Sequence, residues 1–460
     1  MKFKLKPIEK KWILYDIGNS AFALLISTIM PIYFNYLAGD AGISEVNYLA
    51  YWGYATSAAT VIVAVLGPLL GTVSDAAGRK KKIFMIALLA GALGCVFLGF
   101  MQSWIWFLLL FVFAKSAYSL SLVIYDSMLT DITSEERMDE VSAQGYAWGY
   151  IGSCVPFICS LLLVLFYDKV GISMQTAMGI SFFLVAVWWI ALTVPLLKSY
   201  RQTHSRKPTV HAGQSGVQRL GQIVSELRKD KKVLFFLAAF FFYIDGVYTI
   251  IDMATAYGTA LGLDTTGLLL ALLLTQIVAF PAALLFGKIS RKVSASRLIL
   301  VCISAYFLIA LYGIGLHRQY QFWILAVCVG CFQGAVQSMS RSYYAKIIPA
   351  EKSGEYFGIY DICGKGASFM GTILVSAVSQ ITGSVNLGVG ALSVMFLAGF
   401  FLFLKADKTE KSEEEQENPG VLFSAAWIGS VIYAKNAFAA LSRYSVSLTP
   451  AVSYGECIAS

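Results

Sequence analysis

The sequence predicts an all-α polytopic membrane protein, with twelve transmembrane helices in two pseudo-symmetric six-helix bundles. Three observations predict it. Of 460 residues, 58% are hydrophobic and only 13% charged, with a mean hydropathy of +0.69; a soluble chain carries about 25% charged residues. The apolar residues fall in blocks of about 20, the helical length that crosses roughly 30 Å of hydrocarbon. A stretch in the first half of the chain also returns, in register, in the second.

The blocks, numbered as spans 1 to 12, run near 13–36, 49–70, 83–102, 104–126, 142–166, 172–196, 233–256, 264–286, 297–316, 321–343, 357–380 and 385–404. The basic start MKFKLKPIEKK followed by an apolar run raises the possibility of a signal peptide. The run from Ile13 to Leu37 is too long for one and has no small-residue cleavage site, so it is expected to be a retained first helix.

The Lys and Arg residues set the expected orientation. With a cytoplasmic N-terminus, Lys2 to Lys11, Arg79 to Lys82, Arg137, the 198–232 connection, Lys288 to Arg297 and Arg341 to Lys352 all lie inside; only Lys169 and Arg318 fall outside. This is the positive-inside asymmetry, and it fits an even helix count with both termini cytoplasmic. The net charge of +8 therefore reports topology and calls for no nucleic-acid partner. Seven cysteines fall in spans and Cys457 in the tail; Cys328 and Cys331, with no His or acidic residue beside them, read as small packing residues rather than metal ligands.

The expected domains are a first bundle over 1–199, a basic linker over 200–232, a second bundle over 233–404 and a cytoplasmic tail over 405–460. In the linker Leu220, Ile223, Val224 and Leu227 recur at helical spacing beside Arg219, Arg228 and Lys229, which suggests a short amphipathic helix on the membrane surface. In the tail, a charged link over 405–420 precedes an apolar run over 421–434 that is short for a span. The internal repeat relates DITSEERMDEVSAQGYAWGYIGS (131–153) to KIIPAEKSGEYFGIYDICGKGAS (346–368) at an offset of 215, so that Glu136 meets Glu351, Glu140 meets Glu355 and Gly149 meets Gly364. Two repeated halves with solute held between them are a common transporter plan.

Between spans 2 and 3, GTVSDAAGRKKK follows Gly-x-x-x-Asp-x-x-Gly-Arg-Lys. Gly71 allows close helix contact, Asp75 can cap a helix or pair with a cation, Gly78 permits the turn, and Arg79 to Lys82 anchor it to the inner leaflet. The pattern resembles the signature loop of the major facilitator superfamily, departing at Ala76, where many members have Arg. The second-half counterpart from Gly287 has Arg291 in the Asp position. YDIGNSAFALLISTIMPIYF (15–34), AYWGYATSAATVIVAVLGPLLGTVSD (50–75), YDSMLTDITSEER (125–137), YIDGVYTII (243–251) and QSMSRSYYAKIIP (337–349) resemble the vacuole-effluxer branch of that superfamily. That branch holds autophagy-related amino-acid effluxers of fungal vacuoles and many bacterial relatives. The likeness covers roughly 10–404; Lys115 and Ile244 stand where asparagine is expected. It implies secondary transport without fixing the substrate.

The resemblance also implies that spans 1, 4, 7 and 10 line a central cavity. Polar residues there are Asp16 and Asn19 in span 1, Lys115 in span 4, Asp245 in span 7, and Gln333 and Gln337 in span 10. At 1.5 Å per residue, Lys115, Asp245 and Gln333 lie about 16–18 Å from a membrane face. A charge at that depth facing lipid is costly, so Lys115 is expected to face a wet cavity and to share it with Asp245. An ammonium and a carboxylate so placed can receive a zwitterion, or pair until solute or proton competes. Asp252 is expected near the outer surface, and Asp361 to pair locally with Lys365. Asp126 and Arg341 occupy equivalent positions at the offset of 215 and can latch the cytoplasmic side shut.

The function expected is secondary transport of a small polar solute, amino acids among the candidates, by alternating access with protons as coupling ion and Asp245 and Asp16 as proton sites. Sugars, peptides or drugs are alternative cargoes, and a transport-inactive sensor or scaffold is the alternative role. No Walker-type loop appears, so ATP is not the direct driver, and no cofactor is called for. The three His (His204, His211, His317) lie in connections and no nucleophile–base set occupies a span, which argues against an enzyme. The chain is expected to act as a monomer in the bilayer. Its short connections favour a bacterial cell membrane, and a fungal origin would mean a vacuolar one.

Overall fold

The computed structural model describes residues 3–206, 216–365 and 368–414. Span 1 comprises α1 (Pro7–Ser27) and α2 (Ile29–Asp40). Spans 2 and 3 are α3 (Glu45–Ser74) and α4 (Lys80–Leu98), and span 4 is α5 (Trp104–Ser127) with the one-turn α6 (Leu129–Ile132). Span 5 is α7 (Glu135–Leu165), followed by the short α8 (Tyr167–Val170), and span 6 is α9 (Met174–Ser199). The linker holds α10 (Gly216–Lys229). Spans 7 to 10 are α11 (Lys231–Ala260), α12 (Thr265–Ile289), α13 (Ala295–Ile314) and α14 (Gln319–Ile347). Span 11 is described in two stretches, α15 (Ser353–Lys365) and α16 (Ser368–Thr382), on either side of residues 366–367, which lie outside the described residues, and span 12 is α17 (Val385–Glu414).

Among the described residues eleven helical stretches are long and apolar enough to cross a membrane. In span 11 the described residues supply a shorter apolar helix, Met370–Thr382. Side-chain caps start several helices as composition dictates. Ser173 Oγ accepts from the Thr176 N–H at 3.1 Å, Asp230 from Val233 at 3.1 Å and Asp264 from Gly267 at 2.6 Å, each satisfying an N–H that has no partner inside its helix. Large apolar side chains such as Val61, Ile86, Trp106 and Val394 stand exposed on outward helix faces. A band of this kind belongs against acyl chains rather than water.

The halves repeat their packing. α1 lies on α9 as α11 lies on α17, and α4 on α5 as α13 on α14. The hydroxyls of Tyr15 and Ser121 meet at 2.7 Å between spans 1 and 4, and those of Tyr243 and Ser340 meet at 2.7 Å between spans 7 and 10. The halves touch through α3 with α15, α7 with α12 and α14, and α5 with α15. The expected linker helix is present as α10, with Ile223 and Leu227 buried and the helix packed on α3 and α11. One boundary needs correction: α17 runs past 404 to Glu414, so the last helix takes up the start of the expected tail. The tail from 415 on, with its 421–434 run and Cys457, lies outside the described residues, as do the side chains of Leu220, Val224 and Lys365.

Candidate functional site

The end of the molecule that carries the N-terminus and the basic loops, called the basic end below, is where the halves grip each other. Arg341 of α14 is the hub and is 1% exposed. Its Nη1 donates to Asp126 at 3.0 Å, its Nη2 to Asp16 at 3.2 Å and to the Ser142 carbonyl at 3.1 Å, and its Nε to Ser142 Oγ at 2.9 Å. The guanidinium lies over the rings of Trp12 at 4.6 Å and Tyr146 at 4.3 Å. Two carboxylates, a hydroxyl and aromatic faces thus replace the water that a buried guanidinium loses. Gly145 makes room: a methyl group there would collide with the Asp16 carboxylate and Arg341. Asp126 and Arg341, equivalent positions in the repeat, are in direct contact. Asp16 is the second acceptor of the same guanidinium, braced by Asn19 Nδ2 at 3.4 Å, so these two residues sit in the clasp rather than free in a cavity.

A second contact joins α3 to α15. Gly71 and Gly67 lie against Gly354 and Gly358, backbone on backbone, so that an added Cβ at Gly71, Gly354 or Gly358 strikes the other helix. The Asp75 carboxylate accepts the N–H of Gly354 at 2.8 Å and of Glu355 at 3.0 Å, capping the first turn of a helix in the other half. Burial pushes the Asp75 carboxyl up to about 6, against the Lys80 ammonium 3.8 Å away and the two amides, which favour its charged form. Gly78 takes a φ of +70°, as its turn requires. Arg79 is corrected: it is exposed, and the cation engaged here is Lys80, fully buried, with its Nζ 3.4 Å from Asp131 and 2.9 Å from Ser353 Oγ across the interface. α4 begins at Lys80, and of four consecutive cations only the one on its inner face reaches the acids. A third contact pairs Arg291 with Glu140 and Lys346 with Asp139 (2.7 Å), tying α12 and α14 to α7. The departure at Arg291 therefore supplies a bridge between the halves.

Away from the basic end, Lys115 and Ser119 of α5 line a cavity of about 280 Å³ with Ala59, Thr60, Val63 and Ala64 of α3 and Asp361 and Ile362 of α15. Lys115 also lies 5.8 Å from the Phe111 ring centroid and interacts electrostatically with Asp252 of α11, which is exposed. The expected sharing of a cavity by Lys115 and Asp245 is contradicted. Asp245 is 0% exposed; its Oδ2 accepts the Gly371 N–H of α16 at 2.8 Å, and its Oδ1 accepts from the Thr249 hydroxyl at 3.3 Å. Asp245 thus ties α11 to α16. Gln337 accepts from Tyr150 Oη at 2.8 Å across the interface, whereas Gln333 lines a separate cavity inside the second half.

Asp361, set aside as a local partner of Lys365, and Asp252, set aside as peripheral, are the acids associated with Lys115. A sequence signal for Asp361 exists: Gly354, Gly358 and Asp361 recur at intervals of 4 and 3, one helix face, and the two glycines already mark that face as the one touching another helix.

The sequence family described as vacuole effluxer Atg22 like matches residues 130–417. The uncharacterized MFS-type transporter YxiO of Bacillus subtilis is 38% identical over 416 residues, covering 89% of this chain and 97% of that protein. Autophagy-related protein 22-1 of Penicillium rubens is 26% identical over 293 residues, covering 58% of this chain and 49% of that protein. The match therefore spans about half the length of such fungal relatives. Among solved structures, the transporter FucP in the outward conformation superposes with a TM-score of 0.67 at 12% identity, covering 87% of this chain and 97% of that one. The human organic anion transporter MFSD10 gives 0.61 at 15% identity, with 86% and 98% covered. These likenesses show the major facilitator fold.

Proposed function

For a chain that belongs to the Atg22-like vacuole effluxer family and is a membrane transporter of the major facilitator superfamily, we propose that the cargo is a small zwitterion, an amino acid in the first instance, moved by alternating access with proton coupling. The observation that carries this reading is the Lys115 cavity at the seam of the halves, which brings one ammonium together with the Asp361 carboxylate, with Asp252 acting on the same ammonium. Charges of both signs in a confined site match the two ends of an amino acid, and a low-dielectric wall strengthens both contacts. In this reading the basic end faces the cytoplasm of a cell membrane, the monomer is the working unit, and the Arg341 clasp with the Asp75 cap is the cytoplasmic gate. Asp245 holds the α11–α16 junction rather than the cargo.

Proteoliposomes loaded with a panel of labelled amino acids and sugars test this, with and without a pH gradient. Saturable flux of an amino acid that the gradient accelerates, lost in Lys115→Met with the protein still folded, is the expected result. Unchanged kinetics in Lys115→Met would remove this residue from the site, and sugar flux alone would overturn the zwitterion reading.

A further inference from the structure

A cavity lies inside the second half, among α11, α12, α14, α16 and α17, and shares no lining residue with the Lys115 cavity. Among the described residues its walls are mostly aliphatic and aromatic, with Ile250, Met253, Leu272 and Phe322 among them; Gln276 and Gln333 bring amides to it, and no ionisable side chain other than Tyr257 faces it. Gln333 is the exception that needs an explanation. It is 5% exposed, and its Oε1 has no hydrogen-bond partner. The nearby hydroxyls do not supply one: that of Tyr150, which also interacts with the Gln333 side chain, donates to Gln337 Oε1 at 2.8 Å. Thr275 donates to the carbonyls of Ala271 (3.0 Å) and Ala326 (3.3 Å), and Thr249 to Asp245. Tyr257 donates to the Gly313 carbonyl at 2.6 Å. A buried amide oxygen left unmatched is unfavourable, and a lone water would need several polar partners to settle beside it.

We propose that this cavity binds a small neutral molecule with an apolar body and a single hydroxyl or N–H, which donates to Gln333 Oε1. Charged molecules are disfavoured by walls that offer no counter-ion. The occupant packs against α11 and α12 at once, so it stabilises the arrangement of the second half seen here. The site stands whether or not the proposed cargo is correct, because it uses none of the residues assigned to that cargo.

The test uses the full-length protein in lipid nanodiscs with para-isopropylphenol as probe, isopropylbenzene as the probe lacking a donor, and empty nanodiscs to subtract partition into lipid. Saturable binding of the phenol about tenfold tighter than that of the arene is expected. In Gln333→Leu, and in Gln333→Met as a second apolar variant of similar length, that preference disappears. The unliganded variants also unfold at a higher temperature than wild type, because the unmatched oxygen is gone. A glutamine with a purely structural role would instead lower the unfolding temperature when replaced. Phenol uptake that only follows lipid partition, or a preference for phenol over arene that survives both variants, would overturn the proposal.

Discussion

At Arg341 one side chain collects the charge of two others. Its guanidinium neutralises Asp16 and Asp126 while sealed between Trp12 and Tyr146. Removing it leaves two buried carboxylates without a counter-charge, a loss of about 3–5 kcal/mol for breaking a buried pair. Arg341→Gln is therefore expected to lower the unfolding temperature of the purified protein strongly, and Arg341→Lys to recover only part of it, since an ammonium lacks the planar fork and the stacking. Adding Asp126→Asn to Arg341→Gln should cost less than the sum of the single changes; additive effects in this cycle would mean that the two residues are not coupled. The Asp126–Arg341 contact was legible in the sequence because the repeat places opposite charges at equivalent positions, and equivalent positions of two facing halves meet near the pseudo-axis. The Lys115–Asp245 pairing was not legible. Counting residues from a membrane face gives depth but not direction around the helix axis, and Asp245 shares the depth of Lys115 while turning to α16.

Among the elements, the α3–α4 loop and the start of α15 form the contact most sensitive to proton concentration. The Asp75 carboxyl is raised to about 6 where it caps α15, with Lys80, Glu355 and the more distant Arg206 and Asp131 as its charged surroundings. Once the loop separates from α15, a solvated Asp75 titrates near its ordinary value of about 3.9. The raised value belongs to the closed contact, so that form holds the proton more tightly. Its relative stability rises as pH falls through 6 and is lost again as pH climbs above 6. Between pH 7 and 5 this amounts to about a tenfold shift toward closure. Alkylation of a cysteine placed in the α3–α15 seam at Thr72, taken relative to a free thiol at the same pH because the thiolate is what reacts, should slow correspondingly on acidification, and that relative response should vanish in Asp75→Asn. Acid-induced acceleration would reverse the assignment. The loop itself was readable from Gly71, Asp75 and Gly78, whose backbone demands are specific. Two features were not. The tie from Asp245 to the Gly371 amide follows from which way a side chain turns about its own helix, and the choice of Lys80 over Arg79 follows from where α4 begins, a boundary that hydropathy blurs.

For the molecule as a whole, hydropathy and the positive-inside count carried the helices and their order, because membrane insertion leaves few alternatives to helices for a chain this apolar. The halves around a seam followed from the repeat. The solute did not, because cavity chemistry depends on which few polar side chains converge, and a single substitution at that point changes it. The structure has its clasps at the basic end and its charged cavity beyond them; the proposed alternating access requires a second state, with the clasps open, close to it in energy. The central claim is that these clasps open. Spin labels at Arg79 and Glu351, both exposed at the basic end, report that distance directly in nanodiscs. The account predicts two populations, a shorter one corresponding to this structure and a longer one that gains weight in Arg341→Gln. A single distance unchanged by that substitution would contradict it.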